Sequence, residues 1–73
     1  MLTSQGGTVV AECLGSNAYL LSWTPTQGYE VGRVTRGPAA TAQATFEATV
    51  NSVTISVSCA AGVPTATITV GDA

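Results

Sequence analysis

Apolar and polar residues alternate with a period of two along most of this chain, and nowhere with the 3.6-residue period of a helix. In TVVAEC (8–13), Val9, Ala11 and Cys13 fall on one side and Val10 and Glu12 on the other. AYLLSW (18–23) sets Tyr19, Leu21 and Trp23 against Leu20. The pattern is cleaner in ATAQATFEAT (40–49), where Ala42, Ala44, Phe46 and Ala48 oppose Thr41, Gln43, Thr45 and Glu47. SVTISVSC (52–59) places Val53, Ile55, Val57 and Cys59 opposite Thr54, Ser56 and Ser58, and TATITV (65–70) turns Ala66, Ile68 and Val70 inward. YEVGRV (29–34) alternates poorly because Val31 and Val34 stand three apart; it reads as a strand bulged at Gly32 or as an irregular crossing.

Turn residues separate these runs. GSN (15–17) fits a short hairpin turn that makes the first two strands antiparallel neighbours. TPTQG (24–28) and RGP (36–38) break the chain, Asn51-Ser52 reads as a tight link, and AAGVP (60–64) precedes the last strand. About six or seven short antiparallel strands at such spacings predict an all-β sandwich or small barrel. The domain is expected over residues 8–70, with 1–7 a flexible lead-in and 71–73 a frayed tail.

Size changes the picture next. A chain of 73 residues buries only about 60% of the surface its unfolded form exposes, so it needs a staple. Cys13 and Cys59 supply one if they pair; the other reading is two unpaired thiols buried as small apolar residues. An even count, the absence of histidine and the small size favour the bridge. Pairing in turn implies an oxidising, extracytoplasmic compartment. Met1-Leu2 runs into Thr, Ser, Gln and Gly with no apolar stretch, so Met1 reads as an expression start on a domain excised from a longer secreted or cell-surface protein. No run approaches the ~20 apolar residues of a membrane span.

Charge excludes several partners. Only 8% of residues are charged, and Arg33 and Arg36 are the whole basic complement. Neutralising several phosphates is beyond two arginines, which argues against nucleic acid and anionic membrane surfaces. The isolated domain is expected to be a monomer.

An early-strand cysteine, a tryptophan ending the next strand and a late-strand cysteine together resemble a shortened immunoglobulin-like β-sandwich. The resemblance implies that Cys13–Cys59 ties the two sheets and that Trp23 packs against it. It departs from that family in the short Cys13–Trp23 spacing and in Val57, which stands where the tyrosine corner would be. GGTVVAEC, YLLSWTPTQGYEV, VTRGPA and VSCAAGVP are also similar to C-terminal extracytoplasmic β domains of actinobacterial membrane or secreted proteins, a likeness that carries no activity with it.

Catalytic chemistry has little to work with. Without His or Lys, a Ser or Cys nucleophile lacks its usual base. Glu12, Glu30 and Glu47 fall on outward positions of separate strands, so no enzyme, cofactor or metal site is expected. What remains is an interaction or spacer module. The alternative is a glycan- or cell-wall-binding module, with protein as another partner, using Tyr29, Arg33 and Arg36 as candidate partner-binding residues. Trp23 and Tyr19 read as core anchors rather than stacking platforms. A further reading takes the outward threonines, Thr41, Thr45 and Thr49 or Thr65, Thr67 and Thr69, as ranks suited to flat ordered surfaces; strand propensity explains them more simply.

Overall fold

The computed structural model describes residues 2–72, and the side chain of Asp72 is left out of the description. Seven strands form: β1 (Leu2–Ser4), β2 (Gly7–Leu14), β3 (Asn17–Pro25), β4 (Glu30–Thr35), β5 (Thr41–Glu47), β6 (Asn51–Ala60) and β7 (Val63–Asp72). They make two antiparallel sheets, one in the order β1-β2-β3 and the other β4-β5-β6-β7. Each strand pairs with its neighbour in sequence, so both sheets are meanders and only the β3–β4 connection crosses between them. The sandwich and its bridge are those expected. The strand order lacks the returning connection of a Greek key.

The core is narrow and alanine-rich. Val9, Ala18, Leu20, Ala42, Ala44, Phe46, Val53, Ile55 and Val57 are fully buried, and Phe46 is the largest of them. In β5 and β6 the inward set is the one the alternation gives, because these strands pair over their shared length without a register shift. β2 also behaves as read, with Val9 buried and Glu12 exposed.

β3 departs from its reading. Ala18 and Leu20 are fully buried, whereas Leu21 is 43% exposed. The cause is a register shift: Ala11 pairs with Leu20 but Val10 pairs with Ser22, leaving Leu21 as an extra residue on β3. A bulge inserts one residue and inverts the parity of everything beyond it. Trp23 therefore still reaches the inner side, opposite Val9, while Tyr19 turns outward opposite Glu12. The same register separates Trp23 from the bridge. Cys13 lies four residues beyond Val9, about 13 Å along the strand, so Trp23 packs at the side of the core cluster and not on the disulfide.

Cys13 and Cys59 are bonded, with Cα atoms 5.8 Å apart, and they join β2 of one sheet to β6 of the other. Leu2–Ser4, read as lead-in, pairs with β2 as β1, and Leu2 packs against the core. β7 continues through Gly71, which pairs with Ser52; Ala73 lies outside the described residues. Asn51 and Ser52 open β6 instead of forming the link before it, which is Ala48–Val50. The last hairpin is tighter than AAGVP suggested, since Ala61 and Gly62 both have positive φ (52° and 79°) and Val63 and Pro64 already belong to β7. Pro64 sits on an edge strand, where a missing donor is tolerated.

β4 is a strand bulged at Gly32: Val31 pairs with Phe46 and Arg33 with Thr45. A Cβ at Gly32 would lie 2.5 Å from the Glu47 carboxyl carbon, so the carboxylate of the neighbouring strand occupies the space over the bulge. After β4 the chain runs back along the free edge of β3. Leu20 N donates to Arg36 O (2.9 Å), Ala18 N to Ala39 O (2.7 Å) and Ala39 N to Ala18 O (3.0 Å). Gly37, with φ 89°, allows this approach, because a Cβ there would strike the carbonyl of Ala18.

Candidate functional site

The three candidate partner-binding residues do not converge. Tyr29 is half-buried against the core, and its hydroxyl accepts a hydrogen bond from Asn51 Nδ2 at 3.0 Å. It serves as a strut between the start of β4 and the start of β6. Tyr29→Phe is expected to cost about 1 kcal/mol, the usual net worth of one hydrogen bond, readable as a small shift in the urea midpoint. A shallow recess of about 410 Å³ beside it is lined by Gly28, Glu30, Glu47, Ala48 and Thr49. Glu30 and Glu47 are direct cross-strand partners at this recess, an arrangement of like charges that disfavours pairing. Arg33 lies elsewhere, on the outer side of the four-stranded sheet in register with Thr45.

Arg36 is the one that the fold builds into a cluster. Its backbone is held to β3 by the bond from Leu20 N, and its side chain returns along the same edge, Nε donating to Leu20 O at 3.0 Å. The guanidinium carbon then lies 5.0 Å from the centroid of the Tyr19 ring and 5.8 Å from that of Trp23. Both distances are within the range in which a cation is attracted to an aromatic face, worth roughly 0.5–1 kcal/mol at an exposed site. Trp23 thus has two neighbours, the core on one side and Arg36 on the other. A guanidinium carries five N–H donors. Only Nε is engaged here; among the described residues the Nη groups have no protein acceptor. An exposed cation with open donors, bordered by two half-buried rings, is the most chemically distinctive place on the surface.

Sequence reasoning selected Arg36 but not its companions. The break at RGP marked the end of β4 and carried no signal that residues 36–39 would dock on β3, while the unseen bulge put Tyr19 on the wrong face.

The threonines form a broader array than separate strands suggested, because β6 lies between β5 and β7. The ranks are Thr45–Thr54–Thr69, Gln43–Ser56–Thr67 and Thr41–Ser58–Thr65, with Thr49 outside them in the β5–β6 loop. The hydroxyls of Thr45 and Thr54 bond to one another at 3.1 Å, and Gln43 Nε2 donates to Ser56 Oγ at 3.3 Å. Adjacent strands rotate by about 20–25°, so the two steps from β5 to β7 accumulate roughly 40–50°. A rigid flat lattice would touch no more than part of such a surface, which favours Arg36 and its rings as the candidate site.

Among the described residues no three His, Cys, Asp or Glu side chains gather as metal ligands, and no helix is long and apolar enough to cross a membrane. No protein-family model, curated protein or solved structure matches the chain.

Proposed function

We propose that this domain is a non-catalytic, extracytoplasmic interaction module of a larger cell-surface or secreted protein, and that it holds glycan at the Tyr19–Arg36–Trp23 edge. The single observation that carries this reading is Arg36 lying against two rings with its Nη donors unused. A sugar ring presents a C–H face that stacks on an outward aromatic ring such as Tyr19 and hydroxyls that accept from a guanidinium, so the cluster meets both sides of a glycan's chemistry. The disulfide supports the compartment, since bridges persist where thiols are not kept reduced.

The test is binding of the purified domain to an array of soluble cell-wall and neutral oligosaccharides, with Tyr19→Ala and Arg36→Gln alongside. Each change is expected to lower affinity by about 2 kcal/mol, close to thirtyfold, as truncation of an aromatic or arginine anchor does. A thermal melt of each variant establishes that it remains folded. A pure spacer predicts no saturable signal from the parent domain. Binding that survives both changes in folded protein contradicts the site.

A further inference from the structure

The longest edge strand of the fold is β7. Natural sheets protect their edges with short strands, charges, prolines, bulges or a covering segment, and three of the four edges here follow that rule. β1 is three residues long and the stretch of β2 beyond it carries Glu12, β3 is covered at Ala18 and Leu20 by residues 36–39, and β4 carries a bulge at Gly32 together with Glu30 and Arg33. β7 is ten residues long and pairs with β6 over its whole length without a register shift. From Val63 to Gly71 it has no charged residue, and its edge devices are confined to its ends, Pro64 at one and Asp72 at the other.

Its inner side is covered only in part. β2 packs over it and Ala66 joins the core, yet Ile68 and Val70 remain 45% and 54% exposed although they point to the core side with Ile55 and Val53. Open N–H and C=O groups, a strip of apolar side chains beside them and no charge are the complement of one kind of partner, another uncharged β-strand.

We propose that β7 pairs antiparallel with β7 of a second copy of this chain, extending the four-stranded sheet to eight across a twofold axis. A second copy fits because the strand is self-complementary. With the axis at Ile68, the two Ile68 side chains meet, each Ala66 faces a Val70, and all of these lie on the same inner side. Thr67 and Thr69 match on the outer side. No like charges meet along the paired run. A standard interface takes about 800 Å² from each partner, about a fifth of this domain's 4128 Å². One edge strand with two apolar side chains falls short of that, which makes the dimer a weak, reversible one. The monomer expected from the sequence is its dissociated state. Arg36 lies by β3 at the other side of the molecule, so pairing leaves both aromatic clusters open and gives the assembly two equivalent sites.

Sedimentation of the 73-residue chain from about 10 µM to about 1 mM tests this, because association must respond to concentration by mass action. The expected result is a rise of the average mass from 7.3 kDa toward twice that value. Ile68→Lys and, separately, Val70→Lys put a charge where natural edges carry one, and each should leave a monomer throughout the range. Val50→Lys, at a loop residue 77% exposed, should dimerise like the parent. Circular dichroism confirms the fold of each variant, and Val70→Lys, at the more exposed position, decides the matter if Ile68→Lys unfolds. A parent chain that stays monomeric at every concentration overturns the proposal. So does a dimer that persists in folded Val70→Lys.

Discussion

Phe46→Ala is expected to lower the free energy of unfolding by about 3–5 kcal/mol, the range for emptying a buried aromatic position. Phe46 is the largest fully buried side chain. Ala42, Ala44 and Ala18 contribute one methyl each, and Gly6 and Gly7 pass so close that a Cβ at Gly7 would lie 3.0 Å from the ring. Val31 and Val53, its cross-strand partners, flank the position on either side, so the cavity could collapse only in part. Stability scales at roughly 0.05–0.15 kcal/mol per residue, or about 4–11 kcal/mol for a chain of this length. The substitution therefore removes about half of the margin or more. Urea unfolding monitored by circular dichroism would read it as a midpoint displaced by more than 1 M, with m of about 1–3 kcal/mol/M. A loss below 1 kcal/mol would mean that Phe46 is not where the core closes.

Reducing Cys13–Cys59 is the second large effect. The bridge spans a sequence separation of 46 and fastens the two sheets to each other. For a loop of that size the chain-entropy model gives about 4 kcal/mol of stabilisation. At 4–8 °C per kcal/mol for a domain this small, the melting temperature should fall by well over ten degrees. Cys13→Ser/Cys59→Ser should reproduce the effect without reductant. Intact mass supplies the independent check: the oxidised chain is two hydrogens lighter, and native protein should offer no thiol to an alkylating reagent. Two thiols alkylated under native conditions would remove both the staple and the support for an oxidising compartment.

How much of this was legible in the sequence depended on what each strand asked of its neighbours. β5 and β6 were readable because unbroken alternation and a straight register agree, so Ala42, Ala44, Phe46, Val53, Ile55 and Val57 are the core they appear to be. The bulge at Gly32 was visible as a skipped beat between Val31 and Val34. The bulge at Leu21 was not: AYLLSW alternates plausibly in either parity, and only pairing against Val10 and Ala11 decides between them. β7 shows another limit. Alternation assigned Ile68 and Val70 to the inner side correctly, but how far the opposite sheet covers each residue of that side is set by how the two sheets pack, which alternation does not encode. The candidate site failed to be legible for a third reason. Arg36 meets Tyr19 and Trp23 only because residues 36–39 dock along β3, a set of contacts between positions 13 to 21 apart that no local pattern encodes.

Tyr29 and Arg33 illustrate how a cluster in sequence disperses in space. Both belong to the segment that carries Arg36, yet Tyr29 turns inward to Asn51 and Arg33 outward beside Thr45. Four positions apart, they would share a face of a regular strand, and it is the bulge at Gly32 that inverts the parity between them.

The most direct test of the glycan-binding edge is titration of the ¹⁵N-labelled domain with soluble cell-wall glycan fragments and with chito- and cello-oligosaccharides, followed amide by amide. Binding at Tyr19, Arg36 and Trp23 predicts saturable shifts in Tyr19–Trp23 and in Arg36, Gly37 and Ala39, the residues whose backbones meet along the β3 edge. Residues of the outer ranks, such as Thr54 and Thr67, should stay unmoved. Saturable shifts confined to those ranks, or no shift with any of these ligands at millimolar concentration, would contradict it.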